Sequence, residues 1–213
     1  MNVIDFTHVI EPAMPVFPGT DQPRLERAFT VEKDGFQETA LHLYSHHGTH
    51  MDAPAHVLAA GETLDRMAAA HFVGTALVID CSDAKPGTTV GMTRIEPLRN
   101  LADEAEFLLL HTGWDRFWGR PEYFDAYPVI GPDVADYLVA SGKKGIGMDT
   151  ISVDPMGGEA LALHKQLLGA GMVVIENLTG LEKAKGGLFT FCALPLHYRE
   201  ADGAPARAIG ILG

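Results

Sequence analysis

The chain has 213 residues, 46% of them hydrophobic and 21% charged, which suits one packed domain and excludes global disorder. Sixteen basic against 28 acidic residues give a net charge of −12, which argues against nucleic acid or an anionic membrane as a partner. Two cysteines, Cys81 and Cys192, can form neither a disulfide framework nor a cysteine-type zinc site; in their apolar surroundings both are expected as buried thiols of a reducing, cytoplasmic protein.

Taken in chain order, Val3–Phe6 reads as a short strand. The opening residues carry Asp5 and Glu11 and no basic start, so a secretory leader is not expected. Glu11–Thr20 holds three prolines and is a loop, because proline lacks the amide a helix needs. Ala28–Val31 and Gln37–Tyr44 read as strands, and Gly61–Ala70 as a helix with Thr63 and Asp65 near its start. Thr75–Asp80 and Phe107–His111 are apolar strands, with a helix over Met92–Ala105 between them. Gly131–Ser141 reads as a helix closed by Gly142, Gly145–Met148 as a strand and Gly158–Leu168 as a helix. Met172–Glu176, Phe189–Pro195 and Ala206–Leu212 complete the strands. No run approaches the roughly 20 apolar residues that span a bilayer. Strands alternating with helices, and extra strands near both ends, predict an α/β domain with a mixed sheet over residues 1–213. The aromatic stretch Trp114–Trp118 with Tyr123 and Phe124 is read as an interface, a pocket wall or core.

Ten histidines are the unusual feature of the composition, and five of them (His42, His46, His47, His50 and His56) fall within 15 residues. Within this cluster, His46, His50, Asp52 and His56 recur at spacings of four, two and four around Gly48 and Pro54. Neutral imidazoles with a carboxylate suit zinc, manganese or iron. Gly48 permits a turn that folds His46 and His50 onto one centre, Pro54 stops any helix, and the Asp52 carboxylate can bridge two ions as imidazole cannot. A single histidine would be read as a satisfied core residue; four ligand types at this spacing favour a metal site. His42 and His47 lie off the pattern and are read as structural. Glu176 closes an apolar strand, where a buried carboxylate is costly unless paired, and a metal would resolve that cost.

The run His46-x-Gly48-Thr49-His50-x-Asp52-x-Pro54-x-His56 resembles the HxGTHxDxPxH signature of the cyclase family of metal-dependent hydrolases, which includes bacterial kynurenine formamidases and isatin hydrolases. Gly147–Asp154, Leu163–Lys165, Ile175–Leu178, Ala193–Leu196 and Asp202–Arg207 resemble its later segments, so the likeness runs nearly end to end. The resemblance implies a swivelling β/β/α fold, a homodimer or homotetramer, and a divalent metal: one or two zinc ions, with manganese as the alternative. It implies His46, His50, Asp52, His164 and Glu176 as ligands, Asp52 as the bridge and His56 as proton donor and acceptor. It also implies that Phe17 lines the substrate pocket, where the formamidases carry tryptophan. The reaction implied is hydrolysis of a C–N bond in a small amide, formamide or cyclic amide. A lyase or cyclase reaction at the same site, and a non-catalytic metal-binding protein, are the alternatives.

Overall fold

The computed structural model describes residues 1–158 and 160–213. In chain order it contains β1 (Asn2–Asp5), β2 (Arg24–Phe29), the single turn α1 (Val31–Asp34), β3 (Glu38–His42), β4 (His50–Asp52), β5 (Val73–Asp80) and β6 (Thr89–Val90). Then come α2 (Arg99–Glu104), β7 (Phe107–His111), β8 (Val129–Ile130), α3 (Pro132–Ala140), β9 (Gly145–Met148), α4 (Ala162–Gly169), β10 (Val173–Glu176), β11 (Phe189–Pro195) and β12 (Gly203–Leu212).

Eight strands form one mixed sheet in the order β1-β12-β11-β5-β7-β9-β10-β4. β5, β7, β9 and β10 run parallel, and the rest pair antiparallel. β4 also pairs with β12, which closes the sheet into a barrel-like ring. Ten-residue β12 allows this closure: one end of its edge pairs with β1 and the other with β4.

The period-two alternation of the apolar strands explains the two layers of core. Phe107 and Leu109 of β7, Ala76 and Val78 of β5, and Val173 and Ile175 of β10 join Phe6, Met51 and Phe191 inside the ring. Leu108, Leu110, Leu77, Ile79 and Val174 face outward against Val134 and Leu138 of α3 and Leu167 and Leu168 of α4. Glycine is needed at Gly147, where a methyl group would lie 2.6 Å from Leu178 Cδ1 and 2.7 Å from Leu109 Cδ2.

Several sequence expectations change. Residues 61–68 form loop and turn, and Ala69–Phe72 a 3₁₀ turn, rather than one helix, because backbone bonds go elsewhere: Glu62 O accepts from Ala55 N, and Leu64 N donates to Ala201 O. Met92–Ala105 is broken into 3₁₀ turns at Met92–Arg94 and Glu96–Leu98 before the short α2, since Pro97 cannot donate to the turn before it. The strand expected over Ala28–Val31 lies at Arg24–Phe29, with Val31 starting a turn. The helix expected over Gly158–Leu168 is observed at Ala162–Gly169; Glu159 lies outside the described residues. Trp114, Tyr123 and Tyr127 are core, packed with Ile151. Cys81 is buried, and Cys192 only partly so.

Candidate metal centre

Strand pairing assembles the site. β4 lies between β10 and β12; Glu176 stands opposite His50, and Gly203 opposite Asp52. His50 and Asp52 share one face of β4 because side chains alternate, while Met51 points into the inner core. Just upstream, Gly48 has φ +68°, the left-handed turn that returns His46 toward His50. The 3₁₀ turn Pro54–His56 brings His56 to the same cavity, and α4 delivers His164 across β10.

Asp52 is the hub. Its Oδ1 lies 2.7 Å from His46 Nδ1 and 3.4 Å from His50 Nε2, and its Oδ2 lies 3.4 Å from His164 Nε2. Glu176 Oε2 is 3.5 Å from His50 Nε2, and its Oε1 is 3.2 Å from His164 Nε2. Ligand atoms converge in two triplets that share Asp52: His46–Asp52–His56 and His50–Asp52–Glu176, each within 4.8 Å. The rings of His46 and His50 stand edge to face, 5.1 Å apart.

Each of three histidines turns one ring nitrogen toward these carboxylates and fixes the other on an acceptor. His50 Nδ1 donates to Gly48 O at 2.8 Å, His164 Nδ1 to Asp154 Oδ2 at 2.7 Å, and His46 Nε2 to Asp202 Oδ2 at 3.0 Å. Asn177 locks the turn by donating from Nδ2 to Gly48 O at 2.8 Å, while its Oδ1 accepts from the Tyr123 hydroxyl at 2.7 Å. This is the arrangement of metal-ligating histidine, in which an outer acceptor sets tautomer and ring orientation. The donor set is imidazole and carboxylate without thiolate, and it fits a divalent cation.

The electrostatics carry the same message. Burial opposes charge on His50, yet Asp52 and Glu176 outweigh it and raise its pKa to about 10. Burial likewise opposes charge on His164, but Asp154, Asp52 and Glu176 raise it to about 12. Asp52 is fully buried and still held well below the usual carboxylate range, by His46, His164 and His50. Two buried carboxylates thus demand positive charge, which a divalent cation would also supply. His56 differs: burial pushes its pKa below the ordinary histidine value, and its nearest carboxylate contact among the described residues is 4.0 Å, from Nδ1 to Asp202 Oδ2.

These residues line a cavity of about 310 Å³ with Pro15, Val16, Phe17, Thr20, Ile151, Ser152, Leu161 and Asn177. Phe17 is 50% exposed at its mouth rather than packed in the core. His42 is exposed on β3, and His47 is buried beside Tyr44, its Nδ1 accepting from Tyr44 N. Two participants lay outside the sequence expectation: Asp154 and Asp202, the outer partners of His164 and His46. Both sit in segments quoted for the family likeness, but nothing local marks a carboxylate as the partner of a distant histidine.

Comparison with known proteins gives a consistent picture. A family model described as "Putative cyclase" matches residues 4–155. A kynurenine formamidase of Bacillus thuringiensis (strain Al Hakam) is 31% identical over 207 residues, covering 97% of this chain and 95% of that protein. A kynurenine formamidase of Salinibacter ruber is 32% identical over 213 residues, covering 98% and 97%. An isatin hydrolase solved with the product analogue thioisatinate superposes with a TM-score of 0.87 at 24% identity, covering 99% of this chain and 92% of that one. A protein described as a potential metal-dependent hydrolase with cyclase activity gives 0.80 at 26% identity, covering 98% and 96%.

Proposed function

We propose, from the premise that this chain belongs to the putative cyclase family, that it is a metal-dependent hydrolase of a C–N bond in a small amide, formamide or cyclic amide. The observation that carries this reading is the convergence of His46, His50 and His164 on buried Asp52, with Glu176 beside them, in one open cavity. His46, His50, Asp52, His164 and Glu176 would hold the metal, with zinc favoured by the imidazole–carboxylate set and manganese as the alternative. When bound, the metal supplies Lewis-acid polarisation of the carbonyl and acidifies the attacking water.

The chain's own residues do the rest. His56, neutral and facing the cavity, takes a proton from the attacking water at a ring nitrogen and returns it to the leaving nitrogen. Phe17, Val16, Ile151 and Leu161 offer an apolar wall to an aryl or cyclic substrate. A cavity-lining histidine that is not needed as a ligand has no use in a purely structural metal site, which disfavours the non-catalytic alternative.

The same reading includes assembly into a homodimer or homotetramer. β2 and β3 form a separate two-stranded ribbon carrying exposed Leu25, Phe29 and Leu41, and a lone hairpin is marginal in water. No helix among the described residues is long and apolar enough to cross a membrane. A reducing cytoplasm suits the two free thiols.

The test is hydrolysis of N-formylkynurenine and of isatin by protein stripped of metal and reloaded with Zn²⁺ or Mn²⁺. The reading predicts turnover of at least one of them, with kcat/KM of about 10⁴ M⁻¹s⁻¹ or more, and none after chelation. Metal uptake without turnover of any amide would overturn the hydrolase reading and leave the lyase or cyclase reaction and the non-catalytic protein as the alternatives.

A further inference from the structure

Asp202 is the last residue before β12, and its backbone is tied to the strand that carries the hub: Asp202 O accepts from Ala53 N at 2.9 Å, and the next residue, Gly203, pairs with Asp52. From that fixed point its carboxylate reaches the rim of the cavity. Oδ2 accepts from His46 Nε2 at 3.0 Å and from Ser45 Oγ at 3.4 Å, and it lies 4.0 Å from His56 Nδ1. Oδ1 accepts from the Tyr198 hydroxyl at 3.3 Å. The other ring nitrogen of His46 lies 2.7 Å from Asp52, so Asp202 occupies the only other polar atom of that ring. Gly203 leaves room for the arrangement, since a methyl group there would lie 2.9 Å from both ring nitrogens of His46.

We propose that Asp202 is a positioning residue of the centre: it fixes the tautomer and orientation of His46 so that Nδ1 faces Asp52, and it shapes the setting of the neighbouring His56. The proposal rests on the metal-hydrolase reading above. Asp154 does the equivalent for His164, but from a buried loop where it also binds two backbone amides. Asp202 is different because its side chain is 46% exposed. Its removal therefore leaves no buried group orphaned in the core, and its effect on the site can be read apart from folding. Outer-shell partners of metal-binding histidines are typically worth about 10–100-fold in metal affinity or activity.

The experiment compares wild type, Asp202→Asn and Asp202→Glu. Each is stripped of metal, melted, and titrated with Zn²⁺ in competition with a chromogenic chelator; hydrolysis of an aryl formamide is then measured at saturating Zn²⁺. Asp202→Asn should bind Zn²⁺ about 10–100-fold more weakly and turn over more slowly even when saturated, with the metal-free melting temperature unchanged. Asp202→Glu should recover most of the affinity. Wild-type affinity in Asp202→Asn would overturn the proposal, as would a lowered metal-free melting temperature that Asp202→Glu fails to restore. Complete loss of binding would overturn it too, because that is the behaviour of a ligand. A wild-type protein that binds no Zn²⁺ and cleaves no amide is a separate failure, that of the metal-hydrolase reading itself.

Discussion

Asp154 grips His164 at two places: its Oδ2 lies 2.7 Å from the ring Nδ1 and 3.0 Å from the backbone nitrogen of the same residue. Its Oδ1 accepts from Leu163 N at 3.1 Å. Helix α4 has no capping side chain of its own, since Leu161 stands at its N-cap with φ +44°. Asp154, eight residues before the helix begins, therefore caps it and aims the histidine that the helix carries.

Asp154→Ala should consequently damage both stability and metal binding. The metal-free protein should lose about 1–3 kcal/mol in denaturant unfolding, the cost of orphaning buried amides. Zn²⁺ affinity should fall about 10–100-fold by chelator competition. Unchanged stability would show that the cap is satisfied by water.

His56→Ala separates chemistry from binding. If His56 moves the proton, the variant should keep wild-type metal stoichiometry by elemental analysis while kcat falls about 10²–10⁴-fold. Loss of one equivalent of metal would instead make His56 a ligand, as its place in the His46–Asp52 triplet allows.

Gly203→Ala should crowd the His46 ring, because the added methyl would meet its Cε1 and lie 2.9 Å from its two nitrogens. A ring displaced from Asp52 binds metal less well. We expect at least a tenfold loss of Zn²⁺ affinity, with a destabilisation of about 1–3 kcal/mol from overpacking. A variant with wild-type affinity would mean that the ring can shift without cost.

The chain's response to acid should carry a signature of His8. This residue stacks on Trp118 with ring centroids 3.9 Å apart. Burial lowers its pKa to about 4, against a smaller opposing pull from Asp115. The unfolded chain then binds a proton near pH 6.5 that the folded chain refuses until about pH 4. Its contribution is fully present above pH 6.5 and is lost as pH falls through that window. In metal-free protein, His8→Phe should make the change in melting temperature from pH 5 to pH 7 less positive than in wild type, because the raised pKa values of His50 and His164 act in the opposite sense and are common to both proteins.

Much of the fold is legible in the sequence because its signals are local. The runs Phe107–His111 and Val173–Glu176 are short, apolar and bounded, and both are strands. Pro97 defeats the expected helix over 92–105 by a rule that is also local, since proline has no amide to donate. Residues 61–70 are different: their amides and carbonyls bind Ala55 and Ala201, partners that no window over those residues contains. Three-residue β4 is likewise defined only by its neighbours β10 and β12. The same division runs through the site. His46, His50, Asp52 and His56 are close enough in sequence to announce a shared purpose, and they line one cavity with His164 and Glu176. Asp154 and Asp202 act on histidines to which only the fold joins them.

If Asp52 organises the proposed divalent-metal centre, removing its charge should empty the site. The most direct measurement is the amount of Zn²⁺ retained per chain by wild type and by Asp52→Asn, by elemental analysis after removal of weakly held ions, alongside the hydrolysis of an aryl formamide. Because His46, His50 and His164 each turn a ring nitrogen toward Asp52, the variant should lose tightly held metal at every position and lose hydrolysis with it. An Asp52→Asn protein that keeps the wild-type metal content and turnover would contradict the account.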